Sequence, residues 1–449
     1  MTKHTDIFVI GTGPSGMAAA RTAKRRRPDL AVTAIRRERS YIPCALPYAL
    51  GNEIPVDSYL KDEDKLLTSI GIAVLEGQVE KIEPGIHSLT LDDGSRWEYE
   101  RLIVATGAEP IRLPGPGCDA PNVFTVRTPA DIHRIVAYRK KGMRVVVIGG
   151  GYIGIEVACM MRRAGQPVEL VELMDRLMPR TLDREFCAAA RQQMEGGGVA
   201  VHLGAGVERM VVGEDGLVGE LVLSNGARLG ADLVVLALGV KPRLRLFEQA
   251  GIRTERDGVV VDDHMRTSAP DVFACGDCTH FHHFVTGRPA RGKLATNAIF
   301  QGKVAALNAI GEDRTFDGFI NACVTDIFDL RVGATGLREE DAAQAGIETF
   351  TGTGVSRDAY PMFEGNNPVT VKLVFNRANR QLLGGQVVGH RAVAERVDLI
   401  ALAIHNRLQV EAIAKLQHCA HPLQSGVPAH NPIVMAAEDA ARKLRDTKQ

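Results

Sequence analysis

Two glycine-rich segments have the residue types and spacing best suited to chemistry in this chain. Each follows a short apolar run and precedes a helical pattern, after which a second apolar run begins. The spacing is Gly-x-Gly-x-x-Gly in both, formed by Gly11, Gly13 and Gly16 in the first segment and by Gly149, Gly151 and Gly154 in the second. The first glycine permits a tight turn, the second lets the backbone approach a pyrophosphate, and the third lets helix and strand pack closely. We therefore predict two dinucleotide-binding units, each with phosphates at a helix N-terminus.

An acidic residue ends the second apolar run of one unit only. Glu172 lies 18 residues after Gly154, where a carboxylate accepts hydrogen bonds from a ribose 2′-hydroxyl and repels a 2′-phosphate. This position favours NADH and disfavours NADPH, although a strand end also carries ordinary surface charge. In the first unit the matching residue is Arg36, and the nearest acid is Glu38. Either Glu38 reaches the ribose from a shifted turn, or the adenosine end is held differently, for example by an arginine.

One cysteine stands just beyond the first unit. Cys44 occurs in the segment Ser-Tyr-Ile-Pro-Cys-Ala-Leu-Pro-Tyr, residues 40–48, and the other seven cysteines are scattered through the chain. This is not the cysteine density of a disulfide-stabilised secreted protein. The first residues lack the pattern of a signal peptide, and no apolar run reaches the roughly 18 residues that a membrane span needs. We therefore expect a cytoplasmic protein with reduced thiols and no membrane partner.

The overall composition is that of a globular protein of several domains. A length of 449 residues predicts two to four domains at about 100–200 residues each. Basic and acidic residues number 54 each, and this zero balance argues against a nucleic-acid-binding protein. The 46 glycines and the aromatic content of only 5% suit ligands approached by backbone rather than held by aromatic stacking.

The elements that must position these residues follow from the apolar pattern. A buried strand at 101–110 contains Thr106-Gly107, and residues 231–242 repeat its shape around Gly239. From about residue 326 the pattern changes to alternating strands and helices, predicted as strands at 369–375 and 382–388 and helices at 392–407 and 433–445. We predict an α/β protein with two Rossmann-like dinucleotide-binding domains and an α+β C-terminal domain.

Together with a late Gly276-Asp277 pair, these features resemble the FAD-dependent pyridine nucleotide-disulfide oxidoreductases over essentially the whole chain. The resemblance implies an FAD domain from residues 1–115 and 253–325, an NAD(P)H domain at 116–252, and a C-terminal dimerisation domain at 326–449. It implies FAD on the first glycine turn, with Asp277 at the ribityl chain, and NADH on the second. The further cofactor-binding positions are Thr106, Gly107, Gly239 and Gly276.

The cysteine segment resembles one branch of this family. A cysteine followed by Pro47-Tyr48 is similar to the active-site segment of coenzyme A-disulfide reductases, persulfide reductases and NADH oxidases, which use a single redox cysteine. The residue five positions after Cys44 is Ala49, so the internal disulfide of the glutathione reductase branch cannot form. The resemblance implies that Cys44 receives electrons from the flavin and cycles through a sulfenic acid, a persulfide or a mixed disulfide with a small thiol.

The same resemblance identifies candidate substrate residues. Arg21 and Arg25 match basic positions that hold coenzyme A phosphates, although basic residues at the end of a helix are also favoured by its dipole. Ser40 matches the serine of the family segment, whereas Pro43 replaces its asparagine.

Two candidate acid–base residues lie in the C-terminal domain. Tyr360 and His421 match a tyrosine and a histidine that reach the active site of the other subunit and protonate a leaving thiolate. Gly426 replaces the glutamate that orients the histidine, so His421 also fits an ordinary surface histidine. Cys419 could approach Cys44 of a second copy or simply be packed. The resemblance therefore implies a homodimer with shared active sites.

The leading hypothesis is an NADH-dependent reductase of small-thiol disulfides or persulfides, with coenzyme A as the favoured thiol. The alternatives are an NADH oxidase that cycles Cys44 through sulfenic acid and a flavin reductase that feeds an electron-transfer protein. The oxidase is disfavoured because Pro14-Ser15 stand where such enzymes typically place a histidine. Cys275 and Cys278 are interpreted as structural residues of the Gly-Asp turn, and the histidines at 280–283 are not expected to bind a metal.

Overall fold

The computed structural model describes residues 3–60, 63–280, 282–290 and 292–446. Its first part is a parallel sheet with the order β3-β2-β1-β6, extended by the antiparallel strands β5 and β4. Phe8, Val9 and Ile35 are buried in its core, as expected for strands covered on both faces. The elements are β1 (Lys3–Ile10), α1 (Pro14–Arg26), β2 (Val32–Arg36), α2 (Leu46–Leu50), α3 (Glu63–Ser69), β3 (Ile72–Glu76), β4 (Val79–Glu83), β5 (Ser88–Leu91), β6 (Arg96–Val104) and β7 (Ala108–Pro110).

The second unit is a five-stranded sheet, with strand order β11-β10-β9-β15-β8, all parallel. It begins with β8 (Val123–Thr125), α4 (Pro129–Tyr138), β9 (Val145–Ile148), α5 (Tyr152–Arg163), β10 (Val168–Glu172), α6 (Arg184–Gly196) and β11 (Val199–Leu203). It continues with β12 (Val207–Val212), β13 (Val218–Leu223), β14 (Arg228–Gly230), β15 (Leu233–Leu236), β16 (Val240–Pro242) and α7 (Arg245–Gln249). Both predicted Rossmann-like sheets are therefore confirmed.

The chain then returns to the first sheet. The elements are β17 (Thr254–Glu255), β18 (Gly258–Val259), β19 (Val272–Ala274) and α8 (Ala295–Ala309). Strand β19 pairs in parallel with β6, and α8 packs on α1. The strand predicted at 101–110 is interrupted, because β6 ends at Val104 and β7 pairs with β16 of the second unit. The turn between β6 and β7 has Gly107 at φ +68°, a left-handed conformation that breaks a strand.

The C-terminal part is an antiparallel sheet with the order β20-β21-β24-β23-β22 and helices packed against it. The elements are β20 (Cys323–Ile327), β21 (Leu330–Gly336), α9 (Glu339–Gln344), β22 (Thr349–Arg357), β23 (Pro368–Asn376), β24 (Leu382–Gly389), α10 (Val393–His405), α11 (Val410–Ala414) and α12 (Pro432–Asp446). The predicted boundary at 325/326 falls inside β20, which pairs with β21, so the C-terminal sheet begins before it. Within the described ranges, no helix has both the length and the apolarity of a membrane span.

Candidate active site

The two glycine turns have nearly the same backbone geometry. Gly11 has φ +100° and Gly149 has φ +112°, a conformation that side chains disfavour. A Cβ atom at Gly11 would lie 2.4 Å from the carbonyl oxygen of Ala105, and one at Gly149 would lie 2.4 Å from that of Ala237. Glycine is therefore required at both positions, because each turn passes close to the end of the next strand of its sheet.

The other two glycines of each turn have different roles: one is required for packing, and the other leaves space for a ligand. A Cβ atom on Gly16 or Gly154 would lie 1.8 Å from the carbonyl oxygen of the first glycine in the same turn, so these positions are closed. At Gly13 and Gly151 no protein atom lies within 4 Å of such a Cβ atom. The helices that begin there, α1 and α5, have no side-chain N-cap. Their first N–H groups are thus available to a phosphate, and both turns fit a dinucleotide pyrophosphate.

The predicted flavin-side residues meet at one edge of the first sheet. Thr106 follows β6 and Asp277 follows β19, which is paired with β6. A Cβ atom on Gly276 would lie 2.3 Å from Ser15 Oγ, so the Gly-Asp turn packs against the helix of the glycine turn. Gly239 ends the equivalent strand of the second unit, with φ +93°. The cofactor positions that the family resemblance implies therefore lie around the two glycine turns.

Two cations beside Asp277 were missed by the sequence analysis. Arg127 Nη2 lies 3.9 Å from the Asp277 carboxylate, and Lys293 Nζ donates a hydrogen bond to the Asp277 backbone carbonyl at 2.5 Å. Burial raises the pKa of Asp277, and the two cations oppose that shift. Because both residues are distant from Asp277 in sequence, no local pattern marks them.

Glu172 lies at the end of β10 beside the second glycine turn. Its carboxylate accepts hydrogen bonds from the backbone N–H groups of Gly150 at 2.6 Å and Met174 at 2.8 Å. These bonds hold a buried negative charge at the predicted ribose position and disfavour a second negative group there.

The first unit differs at the equivalent place. Arg36 is buried and donates to Glu76 Oε1 of β3 at 3.2 Å, so its guanidinium is directed to a neighbouring strand. Glu38 lies two residues further on, with its carboxylate 3.8 Å from Arg37. A contact of Glu38 with the FAD ribose stays a prediction.

Cys44 is exposed in a short 3₁₀ turn, Pro43–Ala45, that leads directly into α2. Partial burial and the charge of Glu156 both raise the pKa of its thiol. The protein by itself therefore favours the thiol over the thiolate near neutral pH.

All eight cysteines lie in the described ranges, and Cys44 and Cys419 are the exposed ones. Cys275 and Cys278 are fully buried, and Cys278 Sγ donates to the Cys275 carbonyl at 3.3 Å. Burial raises the pKa of both thiols, which suits a structural pair. Cys44 thus remains the accessible thiol nearest to the first glycine turn in sequence.

The structure brings Tyr360 and His421 together. The Tyr360 N–H group donates to the carbonyl oxygen of Pro422 at 2.8 Å. The exposed His421 accepts a bond at Nδ1 from the Leu423 N–H group at 3.3 Å, which leaves Nε2 as the N–H donor of the neutral ring. The His421 backbone N–H group donates to Ser425 Oγ at 3.0 Å. The half-buried Tyr360 and the exposed His421 therefore lie in two adjoining loops of the C-terminal domain.

Close packing explains why Gly426 occupies the position of the orienting glutamate. A Cβ atom on Gly426 would lie 2.4 Å from Ser356 Oγ and 2.9 Å from the Arg357 carbonyl oxygen. The segment passes too close to the end of β22 for any side chain at this position. The His421 ring is thus oriented by the Leu423 N–H group instead of by a carboxylate.

The three predicted substrate residues differ in exposure and in their hydrogen-bond partners. Arg25 is exposed and Arg21 is half-buried on α1, and neither has an ion pair with an acid in the described part of the chain. Ser40 is buried, and its hydroxyl donates to the Thr12 carbonyl oxygen at 3.2 Å. Ser40 therefore supports the first glycine turn, and its substrate contact stays a prediction.

The histidine-rich segment does not form a cluster. His280 faces Glu255 at 3.5 Å, His282 faces Asp263 at 3.8 Å, and burial lowers the pKa of His283 to about 4. Among the described residues, one group of three candidate metal ligands was found, and its carboxylates surround the Lys372 ammonium. They are Asp183, Glu185 and Glu339.

Comparison with known proteins identifies the family. Residues 5–302 match the pyridine nucleotide-disulphide oxidoreductase family, and residues 324–432 match its dimerisation domain. The chain therefore belongs to the pyridine nucleotide-disulphide oxidoreductases, a family of flavoenzymes that use FAD and NADH.

Similar proteins include NADH oxidases, sulfur oxidoreductases and a ferredoxin reductase subunit. The chain is 32% identical to an NADH oxidase of Methanocaldococcus jannaschii, over 97% of this chain and 99% of the relative. It is 29% identical to a CoA-dependent NAD(P)H sulfur oxidoreductase of Pyrococcus abyssi, over 88% and 89%. Among solved structures, an NAD-dependent persulfide reductase from A. fulgidus superimposes with a TM-score of 0.93 at 30% identity, covering 98% of this chain and 84% of that one.

Proposed function

We propose that this chain is an FAD-dependent NADH oxidoreductase that reduces the disulfide or persulfide of a small thiol, coenzyme A in first place, through Cys44. The observation that carries this proposal is the exposed thiol of Cys44 at the start of α2. The residue five positions further, Ala49, is buried and has no thiol. Because position 49 offers no internal disulfide partner, we expect the sulfur that reacts with Cys44 to belong to a substrate.

The chemistry requires one thiolate and one proton. Bound FAD would supply a two-electron carrier between NADH and sulfur. The Cys44 thiolate attacks one sulfur of the disulfide, its S–S bond breaks, and the leaving thiolate takes a proton. Two electrons from NADH then cleave the mixed disulfide, releasing the second thiol and restoring the Cys44 thiolate. The balance is NADH, a proton and one disulfide giving NAD⁺ and two thiols.

A second copy of the chain would complete the site. Tyr360 and His421 lie together within the segment that matches the dimerisation domain, and either can donate a proton to a leaving thiolate. The same domain exposes large apolar side chains, as surfaces between subunits do. They are Val355, Met362, Leu402 and Leu423.

The charge of the first helix supports coenzyme A as the thiol carrier. Arg21 and Arg25 project from α1, which begins at the first glycine turn. A guanidinium without an acidic partner is a ready phosphate ligand. The CoA-dependent activity named for the Pyrococcus abyssi relative points to the same substrate class.

An NADH oxidase is the second candidate function, favoured by the name of the Methanocaldococcus jannaschii relative. In that reaction Cys44 cycles through sulfenic acid. The position of the oxidase histidine is taken by Pro14, which starts α1, and Ser15, which contacts Gly276. Neither side chain can act as an acid or base near neutral pH. An electron-transfer reductase would not need the exposed Cys44 thiol.

Cys44→Ser tests the proposal. We expect it to abolish NADH-dependent reduction of coenzyme A disulfide and persulfide while NADH-to-dye activity persists, because the flavin is still reduced. Cys419→Ser, at the other exposed cysteine, is the matched control and should keep disulfide reduction, because the proposed reaction uses only the Cys44 thiol of this chain. Rapid oxygen consumption without thiol release would support the oxidase instead. Disulfide turnover that survives in Cys44→Ser would rule out this mechanism.

A further inference from the structure

Helix α5 and strand β20 are joined by two matched polar contacts. Tyr152 and Glu156 lie one helical turn apart on α5, and residues with this spacing share a helix face. Cys323 and Thr325 are two residues apart on β20, so their side chains lie on the same face of the strand. The Tyr152 hydroxyl contacts Cys323 Sγ, and Thr325 Oγ1 donates to Glu156 Oε1 at 2.8 Å. The C-terminal sheet thus fixes both side chains of the helix that starts at the second glycine turn.

Glu156 is a half-buried acid without a counterion. In the described part of the chain no basic side chain forms an ion pair with it, and Arg163 of the same helix is paired with Glu53 at 2.6 Å. Asp326 adds a like charge nearby. Burial raises the pKa of Glu156 to about 7, Thr325 opposes the shift through its hydrogen bond, and Asp326 adds to it. Glu156 therefore changes charge near neutral pH.

The same acid faces the cysteine segment. Helix α2 packs on α5, and a Cβ atom on Gly51 would lie 2.7 Å from Met160 Sδ. The negative charge of Glu156 acts between the two packed helices and contributes to the raised pKa of both Cys44 and Tyr48. The titratable groups near Glu156 are Cys44 in the turn before α2, Tyr48 on α2, Tyr152 and Cys159 on α5, and Asp326 on β20.

We propose that Glu156 is a positioning residue that controls the protonation of Cys44. While the Glu156 carboxyl is protonated, it carries no charge that would destabilise the Cys44 thiolate. When Glu156 ionises, its negative charge favours the protonated form of the Cys44 thiol. Above the pKa of Glu156 the carboxylate therefore carries the negative charge of the pair, and Cys44 remains mainly a thiol. This inference rests on the proposed redox role of Cys44.

The test measures the reactivity of Cys44 rather than turnover. The FAD-loaded protein is alkylated with iodoacetamide across a pH series, and modification of Cys44 is followed by peptide mass spectrometry, which separates it from Cys419. Glu156→Gln keeps an oxygen that accepts the Thr325 bond but removes the charge. We expect its Cys44 alkylation at about pH 8 to be about threefold to tenfold faster, because a nearby charge shifts a pKa by this order.

Thr325→Val provides a second variant. It removes the hydrogen bond that favours the ionised carboxylate, so Glu156 should stay neutral to higher pH and Cys44 alkylation should again be faster. Glu195→Gln is the matched control. Glu195 is an exposed residue of α6 paired with Arg191, and its substitution should leave the alkylation profile unchanged.

Overlapping wild-type and Glu156→Gln profiles, in a variant with native thermal stability, would overturn the inference. So would slower alkylation of Glu156→Gln. Failure of the proposed function is seen separately, as disulfide turnover that persists in Cys44→Ser.

Discussion

Glu172 shows how one side chain combines a local sequence signal with a tertiary function. Its type and its place after β10 are visible in the sequence, whereas its two backbone donors, Gly150 and Met174, belong to the turns on either side. These bonds direct a carboxylate to the place where a nicotinamide dinucleotide would carry its ribose. We therefore predict that Glu172 discriminates between the nucleotides by charge as well as by hydrogen bonding.

Glu172→Gln should reduce the preference for NADH. The amide oxygen can still accept the Gly150 bond, but the charge that repels a 2′-phosphate is lost. We expect the ratio of kcat/KM for NADH to that for NADPH to fall about tenfold or more, since a hydrogen bond to a charged group contributes about 1.5–3 kcal/mol. The measurement is steady-state kinetics with both nucleotides.

Glu169→Gln is the matched control for this substitution. Glu169 lies on the same strand, and its carboxylate contacts His202 Nε2 at 2.7 Å, away from the glycine turn. Its nucleotide ratio should equal that of the wild type. An unchanged ratio in Glu172→Gln would refute the role of Glu172.

At the scale of elements, the two strand–turn–helix units repeat one design. Each places a closed glycine against the carbonyl oxygen of the first glycine of its turn and an open glycine at the helix N-terminus. The closed position determines whether the unit can pack, and the open position determines whether a phosphate can approach. Alanine at these two places should therefore have separable effects.

Gly13→Ala and Gly16→Ala test this separation in the first unit. Gly13→Ala should leave the Tm of the FAD-free protein unchanged and lower the FAD content, because the methyl group meets ligand rather than protein. Gly16→Ala should lower both, since its methyl group meets the Gly11 carbonyl oxygen and overpacking costs about 1–3 kcal/mol. FAD absorbance per chain and thermal melting report the two effects. Equal Tm losses in both variants would contradict the assignment.

At the scale of the whole molecule, one buried lysine joins the second unit to the C-terminal sheet. Lys372 on β23 contacts Asp183 at 2.8 Å and Glu185 at 2.6 Å, both at the start of α6, and also Glu339. Burial alone would lower the pKa of Lys372, but these hydrogen bonds and charges outweigh it and raise the pKa above 10.5. The contribution of the ammonium is thus complete below pH 10.5 and is lost only at higher pH.

Lys372→Met should destabilise the protein by about 3–5 kcal/mol near neutral pH, because three carboxylates lose their common partner. The loss of Tm should be smaller at high ionic strength, because salt screens the repulsion among the three carboxylates. Lys443→Met removes an exposed pair with Asp439 and should change Tm little. A loss in Lys372→Met that does not depend on salt would contradict the electrostatic explanation.

Mixed dimers test whether two copies build each site. Cys44→Ser and the double variant Tyr360→Phe/His421→Ala should each be inactive with disulfide, since one lacks the thiol and the other lacks both candidate proton donors. After unfolding and refolding together, about half of the dimers should be mixed, each with one intact site, which restores about a quarter of wild-type activity. No recovery, with mixed dimers shown by mass spectrometry, would mean that each site is built within one chain.

The sequence by itself determined the features that depend on neighbours along the chain. The glycine spacing, the acid after β10 and the single-cysteine segment are local patterns, and each reports a backbone or chemical requirement that acts within a few residues. The parallel sheets and the C-terminal sheet follow from apolar runs in the same way.

Only the tertiary structure decided which distant groups meet. Helix α2 packs on α5 and brings the charge of Glu156 near Cys44, Thr325 bonds Glu156, and the cations Arg127 and Lys293 lie beside Asp277, although each pair is separated in sequence. The close approach of β22 also explains Gly426. Charge and hydrogen bonding depend on distance in space, and the packing of separate elements alone determines that distance.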